Sequence, residues 1–223
     1  MKSNDIRTQS NIGNASLLKK RRGFLIKILT KYEISLDNFS KMAFFDDLDI
    51  RDLEEAATII FHPGTTDFKG YIPEMEPEEQ QDDDNRGWLS GMQLLPNWFF
   101  TPVCLNVDIS TDYGKRLFRQ MDRMLPNTVI VSSGDEKNGA CFYYLTESPA
   151  RSTLFAFNQN TSIEILGINA DDQHNWVLLP GAKLKHEYKI IEPEVNEGLF
   201  VHDITRVSKV ELIQSLDRFL YQI

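Results

Sequence analysis

The chain predicts an α+β fold: a mixed β-sheet with flanking helices, preceded by a helical segment and closed by a C-terminal helix. Three observations predict it. Apolar residues recur at helical spacing between 16 and 61. Short apolar runs rich in β-branched and aromatic residues follow one another between 102 and 191. A last amphipathic stretch opens at Ser208. At 223 residues and 25.7 kDa the chain can bury such a core without disulfides. A hydrophobic share of 41% with 26% charged residues excludes collagen-like, coiled-coil and wholly disordered classes.

Residues 1–15 are polar and read as a disordered tail without the apolar core of a secretion signal. Residues 16–61 read as a helical segment. Its first helix, 16–32, offers Leu17, Leu18, Leu25, Ile28, Leu29 and Tyr32 to one face, with Gly23 weakening the middle. A short helix is expected over 35–45. A third follows Asp49 as N-cap and carries Ile50, Leu53, Ala57 and Ile60. Residues 62–98 hold Pro63, Gly64, Gly70, Pro73, Pro77, Gly87, Gly91 and Pro96, and seven acids lie within 74–84. That density of breakers and charge reads as a long acidic loop, partly disordered, before an α+β core over 99–223. Within that core, strands are expected at 102–109, 127–133, 140–145, 153–157, 162–167, 176–179 and 187–191. A helix is expected at 112–125, with Leu117, Met121 and Met124 on one side. Ser208 and Glu211 form a capping pattern for the last helix, whose apolar face holds Leu212, Leu216, Phe219 and Leu220.

Charge and cysteine usage narrow the function classes. A formal charge of −9 opposes generic nucleic-acid binding, which needs clustered Lys and Arg, and leaves only a local basic patch. Cys104 and Cys141 stand without a CxxC or Cys/His cluster, so a zinc site is not expected. Two isolated thiols suggest a reducing, cytoplasmic (or nuclear) setting and not secretion. No apolar run reaches the ~18 residues of a membrane helix, and no membrane partner is expected. Dinucleotide, phosphate-loop, nucleophile-elbow and zinc-protease motifs are absent from the sequence.

Three strand-end features remain. Asp108, in Asn106-Val107-Asp108-Ile109-Ser110, places a carboxylate late in an apolar strand, where it must be paired, capping or bound to a cation. The plain alternative is that Asp108, Ser110 or Asp112 caps the next helix. Ser132, Ser133 and Gly134 lead to Lys137, Asn138 and Gly139; composition alone favours a plain hairpin turn at Asn138-Gly139, though the same hydroxyls and cation suit a triphosphate. Glu164, in Ser162-Ile163-Glu164-Ile165-Leu166-Gly167, either faces solvent in an alternating strand or faces Asp108 across a cleft.

In this order the features resemble the catalytic domain of the archaeo-eukaryotic primase superfamily, the plasmid and phage primase–polymerase group in particular. The resemblance covers about residues 102–191, through NVDIS, LPNTVIVSSG, NGACFYYL, SIEILG and WVLLPG…HEYKI. It implies Asp108 and Glu164 as catalytic and metal-binding carboxylates for Mg²⁺ or Mn²⁺. It also implies Ser132, Ser133, Lys137 and Cys141 at the nucleotide. Two departures weaken the chemistry. Ser110 stands where the family has a second Asp, and Cys141 or Ala140 stands where it has His. Two carboxylates fall short of a two-metal site, so the expectation is a degenerate primase fold in the replication of a mobile element.

The basic residues supply the nucleic-acid side of this reading. Lys115, Arg116, Arg119 and Arg123 lie on the helix after Asp108, with Lys183 and Lys185 as helpers, and the expected partner is single-stranded or duplex DNA. Lys19-Lys20-Arg21-Arg22 reads as a solvated helix face or a phosphate contact. The competing class is a non-catalytic interaction module of adaptor or immunity type. It would dock a protein partner through the acidic segment 74–84 or the C-terminal helix. A polynucleotide hydrolase using Asp108 and Glu164 is a third option, without the Lys two residues after Glu164.

Overall fold

The computed structural model describes residues 50–72, 75, 77–132, 139–192, 199 and 201–222. The expected tail, the helices at 16–32 and 35–45, the run Lys19–Arg22 and the residues Ser133 and Lys137 lie outside the described residues.

Helix α1 (Ile50–Ala57) runs directly into strand β1 (Thr58–Phe61). Helical spacing extends through Ile60, but Thr58, Ile59 and Ile60 are a β-branched run, and β-branched residues favour a pleated strand. All four residues of β1 are buried. The switch is marked by Thr58, whose hydroxyl donates to the Glu54 carbonyl at 2.7 Å.

The expected long loop at 62–98 is corrected by the structure. It holds β2 (Phe68–Tyr71), β3 (Asn85–Leu89) and β4 (Gln93–Leu95), with a short 3₁₀ turn at Pro77–Glu79. With β10 (Trp176–Leu178), these give a four-stranded antiparallel sheet ordered β10-β3-β1-β2. The glycines mark close backbone approach here and not chain breaks. A Cβ on Gly87 would sit 2.7 Å from the Val177 carbonyl oxygen of the neighbouring strand. The acidic run is not wholly solvated either. The Asp84 side chain is 2% exposed and pairs with Lys69 Nζ at 2.6 Å.

The second, larger sheet contains β5 (Trp98–Asn106), β6 (Val129–Ser132), β7 (Ala140–Thr146), β8 (Thr153–Asn158), β9 (Thr161–Ile165) and β11 (Lys189–Glu192). Their order is β11-β6-β7-β5-β9-β8, and every pair is antiparallel. β12 (Thr205–Arg206) adds to β7 in parallel, which makes the sheet mixed, and β4 adds to β5. Helices α2 (Asp112–Met124) and α3 (Lys209–Leu220) complete the α+β fold. Ser208 caps α3 as expected, its hydroxyl accepting from the Glu211 N–H at 3.1 Å.

The two-residue period of a strand sends alternate side chains to opposite faces. On one face Val103, Leu105, Phe142, Tyr144, Ile163 and Ile165 pack under α2 and α3, against Leu117, Met121, Leu212, Leu216 and Phe219. On the other, Phe100, Cys104, Cys141, Tyr143 and Leu145 meet Ala57, Trp88 and Val177 of α1 and the smaller sheet. β5 and β7 are thus covered on both sides, which is why they read as near-continuous apolar runs. Trp88, Phe100 and Tyr143 stack edge to face with centroids 5.4 and 5.1 Å apart. The Tyr143 hydroxyl donates to the Leu178 carbonyl at 2.8 Å and pins one sheet to the other.

Candidate nucleic-acid interface

The turn between β5 and α2 settles what Asp108 does locally. Its carboxylate accepts from the Ser110 N–H at 3.0 Å and from the Ser110 hydroxyl. Its carbonyl accepts from the Thr111 hydroxyl at 2.7 Å. Thr111, not Asp108, Ser110 or Asp112, is the N-cap, accepting from the Gly114 N–H at 3.0 Å. Asp108 therefore braces the entry to α2.

Glu164 is half-buried in β9, in register with Cys104 of β5 on one side and Leu154 of β8 on the other. Asp108 lies four residues beyond Cys104, past the end of β5, so strand pairing does not set it opposite Glu164. The residue that completes the row is Cys141, paired with Cys104 from β7. Cys141, Cys104 and Glu164 thus share one face of three neighbouring strands.

The two cysteines are not free thiols. Cys104 and Cys141 form a disulfide with Cα atoms 4.1 Å apart. Their sequence separation of 37 concealed that the β5–β7 register makes them direct partners. The expectation of isolated thiols, and the reducing setting inferred from it, loses its basis here. Cys141 can meet a nucleotide only as a disulfide sulfur. Ser132, also proposed at the nucleotide, is buried and donates its hydroxyl to the Gly139 carbonyl at 3.3 Å.

A divalent cation needs several oxygen ligands converging on one point. Among the described residues no group of three or more His, Cys, Asp and Glu is placed to hold a metal ion. Asp108 and Glu164, one bracing a turn and the other set beside a disulfide, do not fit the Mg²⁺ or Mn²⁺ site implied by the primase resemblance.

The basic residues of α2 are brought together. Leu117 and Met121 are buried against the large sheet, which turns Lys115, Arg116, Arg119 and Arg123 to the exposed side. Arg116, Arg119 and Arg123 line a depression of about 500 Å³ with Gln120, Met124 and Gln222. Among the described residues no carboxylate forms an ion pair with these cations. Asp122, on the same helix, acts on the other side, where its charge adds to burial in raising the Tyr144 hydroxyl. Arg123 also lies in the last turn of α2, where a cation complements the helix dipole.

Lys183 and Lys185 do not join this patch. They are exposed in the segment after β10, where the Lys183 N–H donates to Asn85 Oδ1 at 2.6 Å and the Asn85 amide returns a bond to the Lys183 carbonyl at 2.9 Å. Their neighbours Ala182 and Leu184 pack on the smaller sheet, across the large sheet from α2. Sequence reading missed Gln222. It reaches the depression from the far end of α3, 98 residues after Met124, and no local spacing signals that.

Among the described residues no helix is long and apolar enough to cross a membrane. No family model matches the chain, and no curated protein matches it either.

Proposed function

We propose that the chain is a primase-like domain that holds nucleic acid by its phosphate backbone and does not depend on metal-assisted nucleotidyl transfer. The observation that carries the reading is the α2 face. Three arginines converge on one depression, with a fourth cation beside them and no paired carboxylate among the described residues. Planar guanidinium groups bind phosphate oxygens through paired N–H donors, and a cluster of them supplies local attraction despite a net charge of −9. Independence from transferase chemistry is supported by the Cys141–Cys104–Glu164 row, which offers a disulfide and one carboxylate, and by the absence of three converging His, Cys, Asp or Glu groups among the described residues.

The test is binding of DNA by fluorescence anisotropy over a salt series. With about 4 phosphate contacts, the slope of log affinity against log salt is expected near −3 to −4. Arg116→Glu with Arg119→Glu should abolish binding while the melting profile stays close to the parent's, since both side chains are on the helix surface. Undiminished binding by the double variant would make the patch a solvated face. The interaction-module reading would then take over, with Val210 and Ile213, 62% and 42% exposed on α3, as its surface.

A further inference from the structure

Two exposed tyrosines lie on the helix of the arginine face and at the end of the helix that precedes Gln222. Tyr113, in the first turn of α2, is 45% exposed. Tyr113, Arg116, Gln120 and Arg123 follow at i, i+3, i+7 and i+10, and so lie along one side of the helix. Tyr221 is 96% exposed at the end of α3, next to Gln222, which lines the depression with Arg123 and Met124. One ring stands at the start of the basic stripe, and the other belongs to the residue before Gln222, which lines the depression. From Tyr113 to Arg123 the helix runs about 15 Å, more than one nucleotide fills.

We infer that this face takes single-stranded nucleic acid, with phosphates on Arg116, Arg119 and Arg123 and bases against Tyr113 and Tyr221; the inference rests on the phosphate-backbone reading above. In a duplex the base faces are already stacked on one another, so exposed tyrosines gain little from it. In a single strand each base offers a free π-face, and stacking on an aromatic side chain tolerates any sequence. A free nucleotide has one base for two rings. Gln120 and Gln222 add uncharged donors and acceptors between the cations.

Three fluorescent probes separate the possibilities: a 20-mer of thymidine, a 20-base-pair duplex, and an abasic 20-mer with the same charge and no bases. The intact protein should bind the thymidine strand more tightly than the duplex or the abasic strand. Tyr113→Ala and Tyr221→Ala should each weaken thymidine-strand binding about tenfold. Both should leave the abasic strand and the duplex unaffected, and Tyr→Phe at either position should restore the parent affinity. Equal binding of all three probes, with neutral alanine variants, would overturn the stacking inference and leave the backbone reading standing. Failure to bind any probe, or binding indifferent to Arg116→Glu with Arg119→Glu, would remove the backbone reading and this inference together.

Discussion

At the scale of single residues, the most exacting group is Asp84. Its side chain is 2% exposed, Oδ2 takes the Lys69 ammonium at 2.6 Å and the Gln81 N–H at 2.9 Å, and Oδ1 has no hydrogen-bond partner. Burial pushes the carboxyl up, but the Lys69 hydrogen bond and charge, with the Gln81 N–H, outweigh it and hold the group below its ordinary value of 3.8. A carboxyl depressed on folding contributes stability above its unfolded pKa, and that contribution is lost as pH falls through the folded value. Lys69→Met would leave a buried charge without its partner, at a cost of about 3 kcal/mol at neutral pH. In that variant the Lys69 bond and charge are gone while burial and the Gln81 N–H remain, so the Asp84 pKa rises relative to the parent's. The deficit against the parent should therefore shrink as the pH is lowered below about 4. Urea unfolding of both proteins at pH 7 and pH 3.5 checks this. A deficit equal at the two pH values would mean that the pair's charge is irrelevant and only the lysine stem packs.

At the scale of elements, β3 shows how a strand hides in sequence. Gly87 lies inside it because the Val177 carbonyl of β10 occupies the space of a side chain, and a Cβ there would meet that oxygen at 2.7 Å. Gly87→Ala should cost about 2 kcal/mol through overpacking, read as a lower urea midpoint with an unchanged slope. A neutral substitution would show that β10 can step aside and that the sheet edge is soft. The same glycine, read locally, signals a loop, and so do Gly70 in β2 and the prolines around both strands. Elements with an uninterrupted period were legible. α2, β6, β7 and β9 are placed to within two residues at either end by apolar spacing, and the start of α3 by the Ser208 cap. The α2 cations were legible for the same reason, since a 3.6-residue period that buries Leu117 and Met121 leaves Arg116, Arg119 and Arg123 outside. The carboxylate pair was not, because register is a relation between strands. Nothing within either strand says that Glu164 pairs with Cys104.

At the scale of the whole molecule, layer order decides which residues act together. The large sheet separates α2 and α3 on one face from the smaller sheet and α1 on the other. Lys183 and Lys185 are therefore remote from the arginines, a fact that no charge count carries. The same layering isolates the Cys104–Cys141 disulfide from α2, since both sulfurs belong to the face toward the smaller sheet. The bridge closes the stretch that contains α2 and β6, its ends separated by 37 positions in sequence. In the chain-entropy account, closing a loop of that size removes about 3–4 kcal/mol of freedom from the unfolded chain. In the folded chain it joins strands already paired from Phe99 with Thr146 to Leu105 with Ala140. Reduction should therefore lower the unfolding free energy by about 3–4 kcal/mol and leave the native near-ultraviolet circular dichroism and the DNA affinity of α2 intact. Urea titrations with and without dithiothreitol, the thiols counted under native and denaturing conditions, test both halves. An unchanged midpoint, with two thiols titrating before reductant is added, would return the cysteines to the isolated pair expected from sequence. A loss of DNA binding on reduction, at a urea concentration where the fold persists, would show that the two faces of the sheet are coupled and that the basic helix depends on the bridge behind it.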